Sequence, residues 1–140
     1  MRGPADVNYA IIRLARAHRN LAGALLRDIG LHPGQEVVLS ILAGSERCST
    51  TELAAGACVE PGTMSRTLAS LERAGYVVRQ ESSNDRRAVQ VSLTRKGRSV
   101  QRRIEAVWAE LDRRTTRGLS GAERRTLLDL LARMSANLGR

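Results

Sequence analysis

Apolar residues recur at helical spacing in four stretches of this sequence, and each stretch predicts an amphipathic helix. The stretches lie within residues 11–26, 37–42, 100–111 and 127–138. Pro33 is suited to the first position of the second helix, and Thr94 is suited to cap the third. Ser120 and Glu123 have the spacing of a capping box, which predicts the start of the last helix.

Shorter elements are predicted between the second and third of these helices. Ser49 and Glu52 have capping-box spacing and predict a short helix that ends near Cys58. Pro61 is suited to begin the following helix, which Gly75 ends.

The pattern changes after this helix from helical spacing to that of strands. Residues 76–81 and 88–93 are rich in β-branched residues and flank a polar, basic segment, which predicts a β-hairpin. The expected fold is therefore mainly α with a small β-hairpin, an α+β class, in one domain of 140 residues.

The chain is strongly basic, and the excess charge lies in its middle. The formal net charge is +9, yet residues 1–64 are neutral, and residues 65–103 contain nine arginines and one lysine against three acids. A local excess of this kind indicates a phosphate-binding surface, with a solvated face as the alternative. Tyr9, Tyr76 and Trp108 are too few and scattered for base stacking, so duplex DNA is the expected polyanion.

Other classes of protein and site are not expected. The longest uncharged stretch, residues 37–45, is far shorter than the ~20 residues of a membrane span, and arginines interrupt the N-terminal apolar stretch where a signal peptide would be apolar. We therefore expect a cytoplasmic protein. No hydrolase motif, phosphate-binding glycine loop or zinc-ligand spacing is present, so neither an enzyme nor a metal or cofactor is predicted.

The helix that begins at Pro61 has two different faces. Relative to Met64, Leu68 and Leu71 lie within about 40° on a helical wheel, whereas Arg66 and Arg73 lie about 180–200° away. The outward face is therefore suited to the major groove of DNA, where Arg66 can contact a guanine edge, Thr63 and Ser65 can bond bases or phosphates, and Arg73 meets phosphate. The alternative is an ordinary amphipathic surface helix.

The basic tip of the predicted hairpin supports the same interpretation. Arg86 and Arg87 are adjacent like charges that repel each other but would be attracted between the phosphate walls of a minor groove. Asp85 is suited either to orient one guanidinium or to accept hydrogen bonds from the turn.

The run from Asp85 to Gly97 resembles the wing signature D-x-R-x-x-x-V-x-L-T-x-x-G of the MarR (multiple antibiotic resistance regulator) family at every fixed position. Residues 53–54, 61–66 and 71–77 resemble the helix-turn-helix of that family. The resemblance implies a winged helix-turn-helix at residues 33–97, with a recognition helix at about 61–74 and a wing at about 77–93. It also implies dimerisation helices at 5–30 and 98–140.

The resemblance further implies a homodimeric transcriptional regulator, expected to be a repressor, that reads a palindromic operator in double-stranded DNA. Its DNA contacts would come from the recognition helix and the wing, with Thr50, Thr51 and Asp85 as supporting residues. The predicted contacts are Thr63, Ser65, Arg66, Ser70, Arg73, Arg86 and Arg87. A non-specific architectural DNA-binding protein is the competing hypothesis.

Dimerisation has an independent argument, because three apolar faces lie outside the predicted winged helix-turn-helix at residues 33–97, the DNA-reading unit. One subunit would have difficulty burying the stripes at residues 11–25, 100–111 and 127–138, whereas a second copy would cover them. A monomeric bundle is the alternative.

Regulation of the protein is expected by analogy with the family, whose members are often released by small aromatic acids or phenolic compounds. His18 and Trp108 are the candidate effector contacts, although both are also suited to a core or interface. Cys48 and Cys58 are expected to be buried, inert thiols too far apart for a disulfide, with a cysteine-based redox switch as the alternative. Cys58 replaces a glycine frequent in the family and is expected to adopt a left-handed conformation.

Overall fold

The chain folds into helices around one small antiparallel sheet. The computed structural model describes residues 6–82 and 85–139, without the side chains of residues 82 and 85–88. Its elements are α1 (Asp6–Asp28), α2 (Gln35–Ala43), β1 (Cys48–Ser49), α3 (Thr50–Gly56), α4 (Pro61–Arg73), β2 (Val77–Ser82), β3 (Asp85–Leu93), α5 (Arg95–Ser99), α6 (Gln101–Thr115) and α7 (Gly121–Asn137). The predicted mainly α fold with a β-hairpin is confirmed. None of these helices is long and apolar enough to cross a membrane.

The sheet contains a third strand beside the two strands of the predicted hairpin, and this strand was not expected from the sequence. Strands β2 and β3 pair antiparallel from Val77 opposite Leu93, with an irregularity between Glu81 and Ser82. The two residues of β1 pair with the other edge of β3, Cys48 opposite Val91, giving the order β1-β3-β2. The sheet thereby joins the start of α3 to the wing.

Helices α3, α5 and α7 begin at the capping residues that the sequence predicts. Ser49 and Glu52 form a capping box at α3, and Ser120 and Glu123 form another at α7. Thr94 caps α5, because its Oγ1 accepts a hydrogen bond from the backbone N–H of Gly97 at 3.1 Å.

Two predicted helix features are wrong. Helix α2 begins at Gln35 rather than Pro33, because Gly34 has a left-handed φ of 97° and its N–H donates to Glu36 Oε2 at 2.8 Å. The helix expected to continue from Thr94 is interrupted at Val100, which separates α5 from α6. At this break Gln101 Nε2 donates to the carbonyl of Gly97, which an uninterrupted helix would bond through its backbone.

Helices α1, α3 and α4 end in one motif, in which a left-handed residue follows the helix. After α3 the N–H of Val59 donates to Ala54 O and that of Cys58 donates to Ala55 O, the pair of bonds that defines a Schellman motif. Gly30 and Gly75 occupy the left-handed position after α1 and α4, but after α3 that position is Cys58, with φ 54°. The predicted left-handed conformation of Cys58 is confirmed.

The hydrophobic core lies between the sheet and helices α1 to α6. Leu39, Leu53, Leu68, Leu71 and Val91 are fully buried within it. Helix α7 contributes no buried residue. Leu26 of α1 and Ile104 of α6 belong to this same core, whereas α7 lies outside it.

The segment that follows the wing closely approaches the end of α4. Thr94 Oγ1 donates to Gly75 O at 2.6 Å, Lys96 Nζ donates to Ala74 O at 2.6 Å, and the N–H of Thr94 donates to Tyr76 O at 3.0 Å. A Cβ atom on Gly97 would lie 2.2 Å from Tyr76 O, well inside van der Waals contact. Only glycine fits there without moving the backbone of Tyr76.

We expect Cys58→Gly to stabilise the protein by about 0.5–1 kcal/mol, because glycine relieves the left-handed strain but loses more entropy on folding. Urea denaturation measures the change. Cys58→Ala keeps the Cβ and the strain, so it should give no such gain; equal stabilities for the two variants would contradict this explanation.

We expect Gly97→Ala to destabilise the protein by about 1–3 kcal/mol, because the added methyl displaces the Tyr76 carbonyl and its bond to Thr94. Gly62→Ala is the control, since a Cβ there meets nothing within 4 Å, and it should lose no stability and gain up to about 1 kcal/mol from the better helix propensity of alanine. Urea denaturation that finds both variants alike would refute the close-contact argument.

Candidate nucleic-acid interface

Helix α4 has one face in the core and the opposite face exposed, as predicted. Met64, Leu68 and Leu71 are all at most 1% exposed. Thr63, Ser65, Arg66 and Arg73 are exposed. The apolar spacing therefore fixes which side of the helix is presented to a partner.

The outward face of α4 is open near the start of the helix. Gly62 has free space around it, so the backbone is accessible at this point. Thr67 Oγ1 donates to Thr63 O at 3.0 Å within the helix, whereas no described hydrogen bond engages the hydroxyl of Ser65. Arg66 and Arg73 join no ion pair among the described residues. Their guanidinium groups are thus available for phosphates or base edges.

Ser70 differs from the other predicted contacts on α4. It is half-buried, and its Oγ accepts a hydrogen bond from Nε2 of the buried Gln35 at 3.1 Å. Gln35 Oε1 accepts in turn from the N–H of His32. The Ser70 hydroxyl therefore links α4 to the start of α2, a role that the sequence analysis missed.

An ion pair between α4 and the wing was also missed. Arg79 on β2 contacts Glu72 on α4 through two hydrogen bonds, Nη2 to Oε1 at 3.0 Å and Nε to Oε2 at 3.2 Å. The hydrogen bonds from Arg79 lower the pKa of the Glu72 carboxyl, and Glu72 raises the pKa of Arg79. The sequence signal was only the local excess of arginine, which does not identify a partner seven positions away.

The remaining predicted contacts belong to α3 and the wing. Thr50 is half-buried and Thr51 is exposed in the first turn of α3. The side chains of Asp85, Arg86 and Arg87 lie outside the described residues. Their backbone belongs to β3.

The two candidate effector residues border separate cavities within one chain. His18 lines a cavity of about 170 Å³ with Leu21 and Arg114. Trp108 lines a much smaller space, of about 10 Å³, beside Leu26 and Glu36. Burial raises the pKa of the Glu36 carboxyl, although hydrogen bonds from the backbone of Glu36 and Gly34 oppose this effect.

The two cysteines differ in exposure. Cys48 is buried in β1, as expected, but Cys58 is exposed, so the prediction of two buried thiols is wrong for Cys58. The turn that gives Cys58 its left-handed conformation also places it outside the core. Both thiols are free, and the described residues contain no metal-binding cluster of histidine, cysteine or acidic side chains.

Large apolar side chains remain exposed on α1 and α7. On α7, Leu128 is 67% and Leu131 43% exposed; on α1, Tyr9 is 64% and Ile12 56% exposed. Several large exposed apolar side chains on one helix indicate an interaction surface. One chain by itself leaves both helices without a partner for these faces.

Comparisons with known proteins agree with this geometry. The MarR family model matches residues 31–89. The HTH-type transcriptional repressor Rv2887 of Mycobacterium tuberculosis is 32% identical over 133 residues, covering 95% of this chain and 96% of the relative.

Two solved structures have the same fold over nearly their whole length. Mutant MarR from E. coli, complexed with operator DNA, has a TM-score of 0.85 at 25% identity, covering 92% of this chain and 93% of that chain. Bordetella bronchiseptica BpsR, whose DNA binding is regulated by 6-hydroxynicotinic acid, has a TM-score of 0.84 at 25% identity, covering 93% and 98%. Fold and relatives are those of regulators, not enzymes, and the chain belongs to the MarR family of DNA-binding transcriptional regulators.

Proposed function

We propose that this protein is a repressor that binds a palindromic operator as a homodimer and is released by a small-molecule effector. The observation that carries the proposal is the division of α4. Its inner face is buried, whereas its outer face carries hydroxyl groups and the arginines Arg66 and Arg73. A helix held in this way can enter a major groove without losing core contacts.

The outward residues divide into base-reading and phosphate-binding roles. Thr63, Ser65 and Arg66 lie in the first two turns of α4, the part of a recognition helix that contacts base edges in helix-turn-helix proteins. Arg73 lies in its last turn and is assigned to phosphate. Phosphate contacts set position on the duplex, whereas base contacts provide sequence choice.

Supporting contacts are assigned to the neighbouring elements. Thr50 and Thr51 lie at the start of α3, and their hydroxyl groups are assigned to phosphate contacts. Ser70 is assigned to a DNA contact at the flank of the recognition helix. The wing contributes Arg86 and Arg87 to a minor groove, with Asp85 beside them, on the basis of their sequence alone.

The dimer follows from the exposed apolar faces of α1 and α7. We assign residues 5–30 and 98–140 to dimerisation and residues 33–97 to the winged unit. Pairing two copies would bury these faces and set two recognition helices about 34 Å apart, one turn of duplex DNA. A palindromic operator matches that two-fold symmetry.

Named relatives support repression and effector control. Rv2887 is called a transcriptional repressor, and 6-hydroxynicotinic acid, a small aromatic acid, regulates the DNA binding of BpsR. Within this chain His18 and Trp108 are the proposed effector contacts, the former in the larger cavity. A dimer would bring further walls to both sites.

We expect Arg66→Ala to reduce the preference for the operator over random duplex by roughly 5- to 150-fold, the range for one bidentate contact to guanine. Arg87→Ala should weaken binding to all duplexes similarly and reduce the salt dependence by about one phosphate contact. Fluorescence anisotropy on the duplex upstream of the protein's own gene, beside random duplex, measures both effects.

Arg117→Ala is the control. Arg117 is exposed beyond the end of α6, and its substitution removes the same charge as Arg66→Ala. It should leave the preference for the operator unchanged. Equal losses on operator and random duplex for Arg66→Ala would instead favour an architectural DNA-binding protein.

We expect the protein to sediment as a dimer and Leu131→Lys to sediment as a monomer of 15.3 kDa. A lysine in the paired apolar face would have to be buried without a partner. Asp129→Asn, also on α7 and exposed, raises the charge equally and should leave the dimer intact. Sedimentation velocity that finds the unaltered protein monomeric would contradict the palindromic mode of binding.

A further inference from the structure

A cavity of about 220 Å³ lies at the root of the wing, where α2, β3, α5 and α6 meet. It is larger than the cavity beside His18 and shares no lining residue with it. This is far above the roughly 10–15 Å³ that a single water molecule requires, so the space admits a small organic molecule. No residue proposed above for DNA contact or effector binding lines it, and of the range assigned to dimerisation only Arg98 and Gln101, at its very start, do so.

The walls of this cavity combine an aliphatic floor with two opposite charges. Leu42 and Leu93, both buried, and Ala43 provide apolar surface. Arg98 on α5 and Glu46 in the connection between α2 and β1 are exposed and border the same space. Among the described residues no ion pair joins these two, so both charges are open to a ligand.

Two polar side chains at the cavity are held in fixed orientations. Arg98 Nη1 donates to Leu93 O at 3.1 Å, which leaves its other N–H groups for a second acceptor. Gln101 Nε2 donates to Leu39 O and to Gly97 O, each at 3.2 Å. Because both N–H bonds are used, the amide cannot be flipped, and Oε1 remains as an acceptor that no described hydrogen bond engages.

We propose that this cavity binds a small α-amino acid with an aliphatic side chain. The carboxylate pairs with Arg98, the ammonium group lies between Glu46 and Gln101 Oε1, and the side chain packs on the leucine floor. The carbonyl end of α2, at Ala43, also favours a positive charge here. A carboxylate alone would leave Glu46 unpaired, and an amine alone would leave Arg98 unpaired.

The cavity is connected to the wing through Leu93. This residue bonds Arg98 through its carbonyl and pairs with Val77, so it lies where β2 and β3 begin to pair. A carboxylate bound to the other N–H groups of Arg98 therefore acts on a side chain that is hydrogen-bonded to the root of the wing. This regulatory consequence rests on the proposed function, whereas binding of the amino acid does not.

Calorimetric titration of the whole protein with L-leucine, L-isoleucine and L-valine tests the site. We expect saturable binding of at least one, and at least about tenfold weaker binding of isovalerate and isoamylamine, which each lack one charged group. Absence of saturable binding for all three amino acids would overturn the proposal, as would equal binding of either analogue.

Arg98→Gln and Glu46→Gln should each weaken amino acid binding at least about tenfold. Arg102→Gln and Glu105→Gln are matched controls, because both residues are exposed on α6 and do not line the cavity. Glu46 makes no described hydrogen bond, so its variant keeps the test valid if Arg98→Gln unfolds. Equal losses in the controls would overturn the assignment.

Amide shifts in NMR spectra locate the bound amino acid. Changes confined to residues 42–46 and 93–101 support the site, whereas changes centred on His18 or Trp108 overturn it.

Fluorescence anisotropy with duplex DNA then distinguishes the amino acid site from the proposed function. Unchanged DNA affinity under saturating amino acid would remove the regulatory consequence, and failure to bind any operator in its absence would refute the proposed function instead.

Discussion

The end of the recognition helix is fixed by the segment that follows the wing, and the geometry of the DNA-reading unit depends on this contact. The carbonyls of Ala74 and Gly75 accept hydrogen bonds from Lys96 and Thr94, and Lys96 also lies over the ring of Tyr76 at 4.6 Å. A cation at the carbonyl end of a helix is favourable in itself. The approach is so close that position 97 admits only glycine. The end of the recognition helix, the base of the wing and α5 are therefore held in direct contact.

Two further contacts hold α4 from other directions. Arg79 reaches Glu72 from β2, and Gln35 reaches Ser70 from α2. The Arg79 pair is exposed and contributes little to stability, but its two hydrogen bonds fix an angle between helix and wing. These contacts all engage the C-terminal half of α4 and leave its outward face free. A small rearrangement at any of these contacts would change how that face meets a duplex.

The sequence by itself determined most of the helices, the hairpin and the two faces of α4. Helical spacing of Met64, Leu68 and Leu71 was enough to identify the buried side, because burial follows directly from where apolar residues recur. Capping boxes and the left-handed Cys58 were equally local, since each depends on a few neighbouring residues. The wing signature and the position of the excess charge identified the family and the class of partner.

Tertiary structure alone decided which distant residues meet. Gln101 bonds Leu39 across 62 positions, and Gln35 bonds Ser70 across 35, and no periodicity encodes either pair. The same long-range packing produced β1, whose two residues are too few to show alternation, and the cavity beside Arg98. The same packing also places His18 and Trp108 at two different cavities. Local sequence patterns favour one helix or strand at a time. A site depends on how several elements pack together, and that packing is set by interactions along the whole chain.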